Sequence, residues 1–155
     1  MKRCIQAAAL AACVLLSGCA TYQAGSPSRA EQLKRFEPVP GKASIYVCRI
    51  PAVLVARGVK TVVLVDNEAI GTLRQNSFVH TTVEPGKHGV LLRHDGLNAG
   101  SGGYMPFEAA AGEVRFFWVG VTGKGWGVLT VDNFDSEADA RKCVLGAEYS
   151  VPGDE

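Results

Sequence analysis

The sequence predicts a mainly β fold, a small antiparallel β-sandwich with one C-terminal helix, set behind a signal peptide and a flexible tether. Three observations predict it. After Gly41 the chain runs as short segments rich in Val, Ile, Thr and aromatic residues, each closed by a turn signal. Only one segment, "DSEADARKCVLG", carries convincing helix start and stop signals. Roughly 115 residues follow the tether, enough for one domain of ordinary size and too few for two.

The elements follow in order. "ASIYVCRI" is rich in β-branched and aromatic residues and predicts a strand. "KTVVLVDNEAIGTLR" predicts a hairpin turning on Asp66 and Asn67, which both tolerate positive φ. "SFVHTTVEPGKHGVLLRH" predicts a second hairpin on Pro85 and Gly86, "YMPFEAAAGEVRFFWVGVT" a third on Gly112, and "GVLTV" a last strand. In the helix, Asp135 or Ser136 caps the start, acids fill the first turn, Arg141 and Lys142 sit in the last and Gly146 stops it. Ala140, Cys143 and Val144 share one face, which packs on the sandwich and turns Cys143 inward. In "EVRFFWVGV", Phe116 and Trp118 point one way and Phe117, Val119 and Val121 the other, so both faces are apolar. Either the helix covers the second face or the strand lines an open groove, and helix cover is the simpler reading.

The N-terminus has the layout of an export signal: Lys2 and Arg3, then the apolar "IQAAALAACVLL". That run is too short to span a bilayer, which takes about 20 apolar residues. Leu16, Ser17, Gly18 and Cys19 resemble the lipobox of bacterial lipoproteins, in which diacylglycerol is attached to the cysteine sulfur and the chain is cut before it. By the same resemblance Ala20 after Cys19 directs the protein to the outer membrane, facing the periplasm. The expected divisions are a signal peptide over 1–18, an acylated cysteine and flexible tether over 19–40, the sandwich over 41–150 and a disordered tail over 151–155. Pro27, Pro38 and Pro40 punctuate the tether, whose reach as a flexible coil is on the order of 25 Å. A short helix over "SRAEQLKRF" is left open.

Loss of Lys2 and Arg3 turns the formal charge from +1 to about −1, which leaves no basic excess for nucleic acid or anionic lipid. Export implies an oxidising compartment. With Cys4 and Cys13 in the leader and Cys19 acylated, Cys48 and Cys143 are the remaining pair, either bridged or two separate buried thiols.

Four segments in order, "GKASIYVCR", "VLVDNEAIGTL", "SFVHTTVEPGKHGV" and "FEAAAGEVRFFWV", resemble a family of bacterial lipoproteins and related envelope proteins, the domain of unknown function numbered 2846. The resemblance covers residues 41 to about 121. The chain departs from that pattern at Asn67, where the family usually has Gly, at Cys48, where an aromatic is common, and at Ile50, which displaces Pro51 by one place. The family carries no agreed activity, so the resemblance implies a fold and an envelope setting and no catalytic residue.

The residues themselves carry no pattern of catalytic chemistry either. His88 and His94 fall on one strand face and His80 on another, at no metal spacing, and all three read as surface or edge residues. "AGSGGY" around Ser101 lacks the strand before and helix after that a nucleophile elbow needs, and "GKGWG" lacks the rest of a phosphate loop. The expectation is therefore no catalytic residue, no metal and no cofactor.

With strands alternating up and down, the turns at Asp66–Asn67, Pro85–Gly86 and Ala111–Gly112 gather at one end and the glycine-rich loops at the other. The second end collects Arg93, His94, Tyr104, Lys124 and Trp126, residue types that anchor recognition. The alternative is that Trp126 folds back to close the core. The function expected is a non-catalytic binding or assembly module held to the membrane through Cys19, with an envelope protein as partner. The rival is a glycan- or lipid-binding, or hydrolytic, domain using Trp126 and Tyr104.

Overall fold

The computed structural model describes residues 22–51, 57–95, 101–122 and 128–153. The order of elements is β1 (Gln23–Ala24), α1 (Pro27–Leu33), β2 (Ala43–Arg49), β3 (Thr61–Val65), β4 (Glu68–Leu73), β5 (Ser77–Val83), β6 (Gly86–His94), β7 (Ser101–Ala109), β8 (Val114–Thr122), β9 (Val128–Asn133), α2 (Glu137–Leu145) and β10 (Glu148–Val151). They build a sandwich of a six-stranded sheet, β1-β10-β5-β2-β8-β9, on a four-stranded sheet, β4-β3-β6-β7. Among the described residues no helix is long and apolar enough to cross a membrane.

The core between the sheets follows from period-two alternation. Ile45 and Val47 of β2, Phe117 and Val119 of β8, and Val90 and Leu92 of β6 are fully buried there. The opposite faces of β2, β5 and β8 contribute Tyr46, Cys48, Phe78 and Phe116 to a second core, closed by Leu33 and Phe36 on one side and Ala140 and Val144 of α2 on the other. Helix cover of the second face is thus what the structure shows, and α1 shares it. Phe36 stands edge-on to Tyr46 at 5.4 Å and to Phe116 at 5.6 Å, and the Arg141 guanidinium lies 4.6 Å from the Phe36 ring centre.

β2 is buried along its whole length because it lies between β5, antiparallel to it, and β8, parallel to it. The sheet is therefore mixed, with β10 also parallel to β5. The β3–β4 hairpin turns on Asp66 and Asn67, at φ 53° and 70°, the left-handed pair that a tight two-residue turn requires.

Two other expected hairpins are corrected. β5 and β6 belong to different sheets, as do β7 and β8. Pro85–Gly86 and Ala111–Gly112 carry the chain across the sandwich, and the hairpin partners are β6 with β7 and β8 with β9. The ends still sort as expected. Val65 pairs with Val90, Gly86 with Ala109 and Ser44 with Val114, so all three turns lie at one end.

The tether is corrected too. Ser26 caps α1, Pro27 occupies its first turn, and Leu33 is buried. Tyr46 donates its hydroxyl to the Leu33 carbonyl at 2.8 Å, and Lys34 Nζ donates to the carbonyls of Leu145 and Ala147 at 3.0 and 2.7 Å, answering groups that the end of α2 leaves open. Before it, β1 pairs with β10, and the Tyr22 hydroxyl donates to Glu148 at 2.9 Å. Residues from Tyr22 onward are thus part of the folded body. Val151, assigned to a disordered tail, is instead the last residue of β10 and pairs with Gln23.

α2 starts at Ser136, whose hydroxyl accepts from the Asp139 N–H, and ends at Gly146, as its signals predict. It holds Cys143 against β2, and the sulfurs of Cys48 and Cys143 are bonded, so the pair is a disulfide closing a separation of 95 residues.

Candidate functional site

On β6 and β7 the residues facing away from the core are Lys87, Gly89, Leu91 and Arg93 on one strand, and Tyr104, Pro106 and Glu108 on the other. The register sets Lys87 opposite Glu108, Gly89 opposite Pro106 and Leu91 opposite Tyr104. Gly89 leaves a gap that Tyr104 fills: a Cβ there would stand 2.6 Å from the ring and its hydroxyl. Tyr104 lies on bare backbone and is still 63% exposed, so its other face is open. With the Asp66–Asn67 turn as one wall, these residues enclose an open groove of about 650 Å³, within the range of small-ligand sites.

The wall is held by His88. Its Nδ1 lies 2.6 Å from Asp66 Oδ2 and its Nε2 lies 2.8 Å from the Glu84 carbonyl. Carboxylate and carbonyl oxygens only accept, so this geometry favours the protonated ring, in which both nitrogens donate. The hydrogen bond to Asp66 raises its pKa above the ordinary 6.5, against desolvation, with lesser support from the Glu84 carbonyl and the Asp66 charge. Desolvation pushes the Asp66 carboxyl the other way, but the hydrogen bonds from His88 and from the Gly89 N–H, with the imidazolium charge, hold it below its ordinary 3.8. Asp66 Oδ1 accepts from Gly89 at 3.0 Å, fastening the turn to the strand that carries the groove floor.

The expected binding end is therefore divided. Tyr104 sits on the outer face of the small sheet and leans towards the Asp66 end, away from the loops with which it was grouped. Arg93 is exposed on the same face, nearer the other end, and His94 points to the opposite face of β6 and is partly buried. Lys124 and Trp126 lie outside the described residues, as does Cys19. His80 is partly buried: its ring packs 4.6 Å from Tyr46, and burial pushes its pKa down to about 4, so it is neutral at pH 7.

A second groove, of about 370 Å³, lies beside the disulfide and is lined by Ile50, Pro51, Phe134, Lys142 and Cys143 among others. Among the described residues no group of three His, Cys, Asp or Glu side chains could hold a metal ion. The His88–Asp66 pair escaped sequence reading because only the β3–β6 register brings the two together, from 22 residues apart.

Comparison with protein-family models finds none that matches the chain, and comparison with curated proteins finds no match either.

Proposed function

We propose that this chain is a lipid-anchored, non-catalytic binding module of the cell envelope, held to the outer membrane through Cys19, whose ligand surface is the groove beside Tyr104. The lipobox resemblance supports the anchor, and the four motifs that resemble family 2846 support the envelope setting.

The observation that carries the reading is the arrangement of the two edges. Cys19 is three residues before Tyr22, so its backbone is within about 11 Å of the folded body. Tyr22 leads into β1, at one edge of the large sheet, and β9 forms the other edge, five strand spacings or about 24 Å away. β7, which carries Tyr104, packs over β9: a Cβ on Gly103 would stand 3.0 Å from the Val131 nitrogen. An acylated Cys19 thus holds one edge of the sandwich to the bilayer and leaves the groove at the other.

The test is photo-crosslinking in intact cells from a reactive residue at Tyr104, compared with one at Asn76 on the opposite end of the body. Acylation is followed in parallel by incorporation of a labelled fatty acid. The reading expects label on the wild type, none on Cys19→Ser, and adducts from position 104 alone. Unlabelled wild type overturns the anchor, and identical adducts from both positions overturn the groove.

A further inference from the structure

We infer that the Tyr104 groove binds an uncharged saccharide, one pyranose ring lying on the open face of Tyr104 with its hydroxyls reaching the polar rim. This rests on the groove being the module's ligand surface and names the ligand that surface takes.

Four features point to that chemistry. The first is the platform: an aromatic ring braced from behind by backbone and exposed in front offers a flat, polarisable face, which the axial C–H groups of a sugar ring match. The second is the rim. Asn67, Lys87 and Glu108 are exposed around the groove and supply both donors and acceptors for a sugar's hydroxyls.

The third is charge. The lining carries two anions, Asp66 and Glu108, and, with His88 in the protonated form its two acceptors favour, two cations, Lys87 and His88. Asp66 and His88 are bonded to one another, and Lys87 faces Glu108 across the strands. The sum is zero, so the groove offers no field to concentrate a phosphate, a sulfated glycan or a cationic peptide. The fourth is the floor. Gly89, Leu91 and Pro106 form a narrow apolar strip between charged residues, too small for the roughly 800 Å² per partner of a stable protein interface. An acyl chain would meet the same charges along its length.

The experiment uses the mature acylated protein in detergent micelles, with neutral tetrasaccharides of N-acetylglucosamine and of glucose as probes. A sulfated tetrasaccharide and a cationic peptide serve as counter-probes. Saturation transfer from protein to sugar protons reads contact with the ring, and amide shifts of β6 and β7 read location. The expected result is shifts confined to residues 87–91 and 104–108, saturation of the C–H face of one sugar ring, and affinity unchanged between 50 mM and 500 mM salt.

Tyr104→Ala should weaken binding about tenfold or more, and Tyr104→Trp should preserve it. Gly89→Ala should weaken it likewise, because the new methyl displaces the exposed Tyr104 ring while the fold is kept. An unchanged melting temperature for these variants separates loss of the platform from loss of the domain. The inference is overturned if neither neutral probe shifts β6 and β7 at millimolar concentration, if Tyr104→Ala binds as the wild type does, or if only a charged probe binds. In the first of these cases a protein adduct from position 104 in cells would leave the module standing and remove the saccharide alone.

Discussion

His88 lies between two acceptors, the Asp66 carboxylate and the Glu84 carbonyl, whereas His80 lies against Tyr46 on the helix-covered face of the large sheet. Folding therefore drives the two in opposite directions. For His88 the folded pKa is raised, so its contribution to stability is complete below pH 6.5 and is lost as pH rises through the folded value. Asp66 has the reverse sense: its contribution is present above 3.8 and is lost as pH falls through its depressed value. The clasp is strongest between those limits. A proton-resolved titration should place His88 above 6.5 in the wild type and return it towards 6.5 in Asp66→Asn. An unmoved titration would show that Asp66 is not the cause. His80, lowered to about 4, binds a proton more readily unfolded, so it withdraws stability as pH falls from 6.5 to 4, by about 3 kcal/mol at the limit. His80→Phe keeps a ring against Tyr46 and removes the proton. Urea unfolding at pH 7 and pH 4.5 should show a smaller acid loss in that variant than in the wild type.

Where one short segment contains its own explanation, the elements were legible in the sequence. Asp66–Asn67 can hardly be anything but a tight hairpin, and Ser136 and Gly146 bracket α2 from both sides. Pro85–Gly86 and Gly112 were legible as turns but not as crossings, because a turn between two strands looks the same whether the strands pair or part into different sheets. The first helix was masked by composition. Prolines and small polar residues around 26–40 read as a tether, yet Leu33, Lys34 and Phe36 give that segment an apolar face and a cation matched to the end of α2. The groove had one legible member, Tyr104, since its floor and its clasp both depend on register. At this scale the disulfide is the strongest single constraint. Cys48→Ala with Cys143→Ala should lower the unfolding free energy by about 4 to 5 kcal/mol in the chain-entropy model, measured in urea against the oxidised protein. A loss below about 1 kcal/mol would mean that packing alone fixes α2.

The whole molecule has three layers, small sheet, large sheet and helices, and the N-terminal segment belongs to the third. A chain lacking residues 22–36 should retain the inter-sheet core and expose Tyr46 and Phe116. The expected outcome is a lower urea midpoint and new binding of a hydrophobic dye, and a midpoint equal to that of the intact protein would show that α1 contributes nothing to stability. The strand order also imposes a schedule. A polypeptide emerges with its N-terminus first, but β1 has its pairing partner only in β10, Lys34 has its carbonyls only at Leu145 and Ala147, and Cys48 must wait for Cys143. The first strand of the described fold is stitched to its last. The finished large sheet therefore has no counterpart in a nascent chain that stops at β9, and the third layer closes only once α2 and β10 have been released.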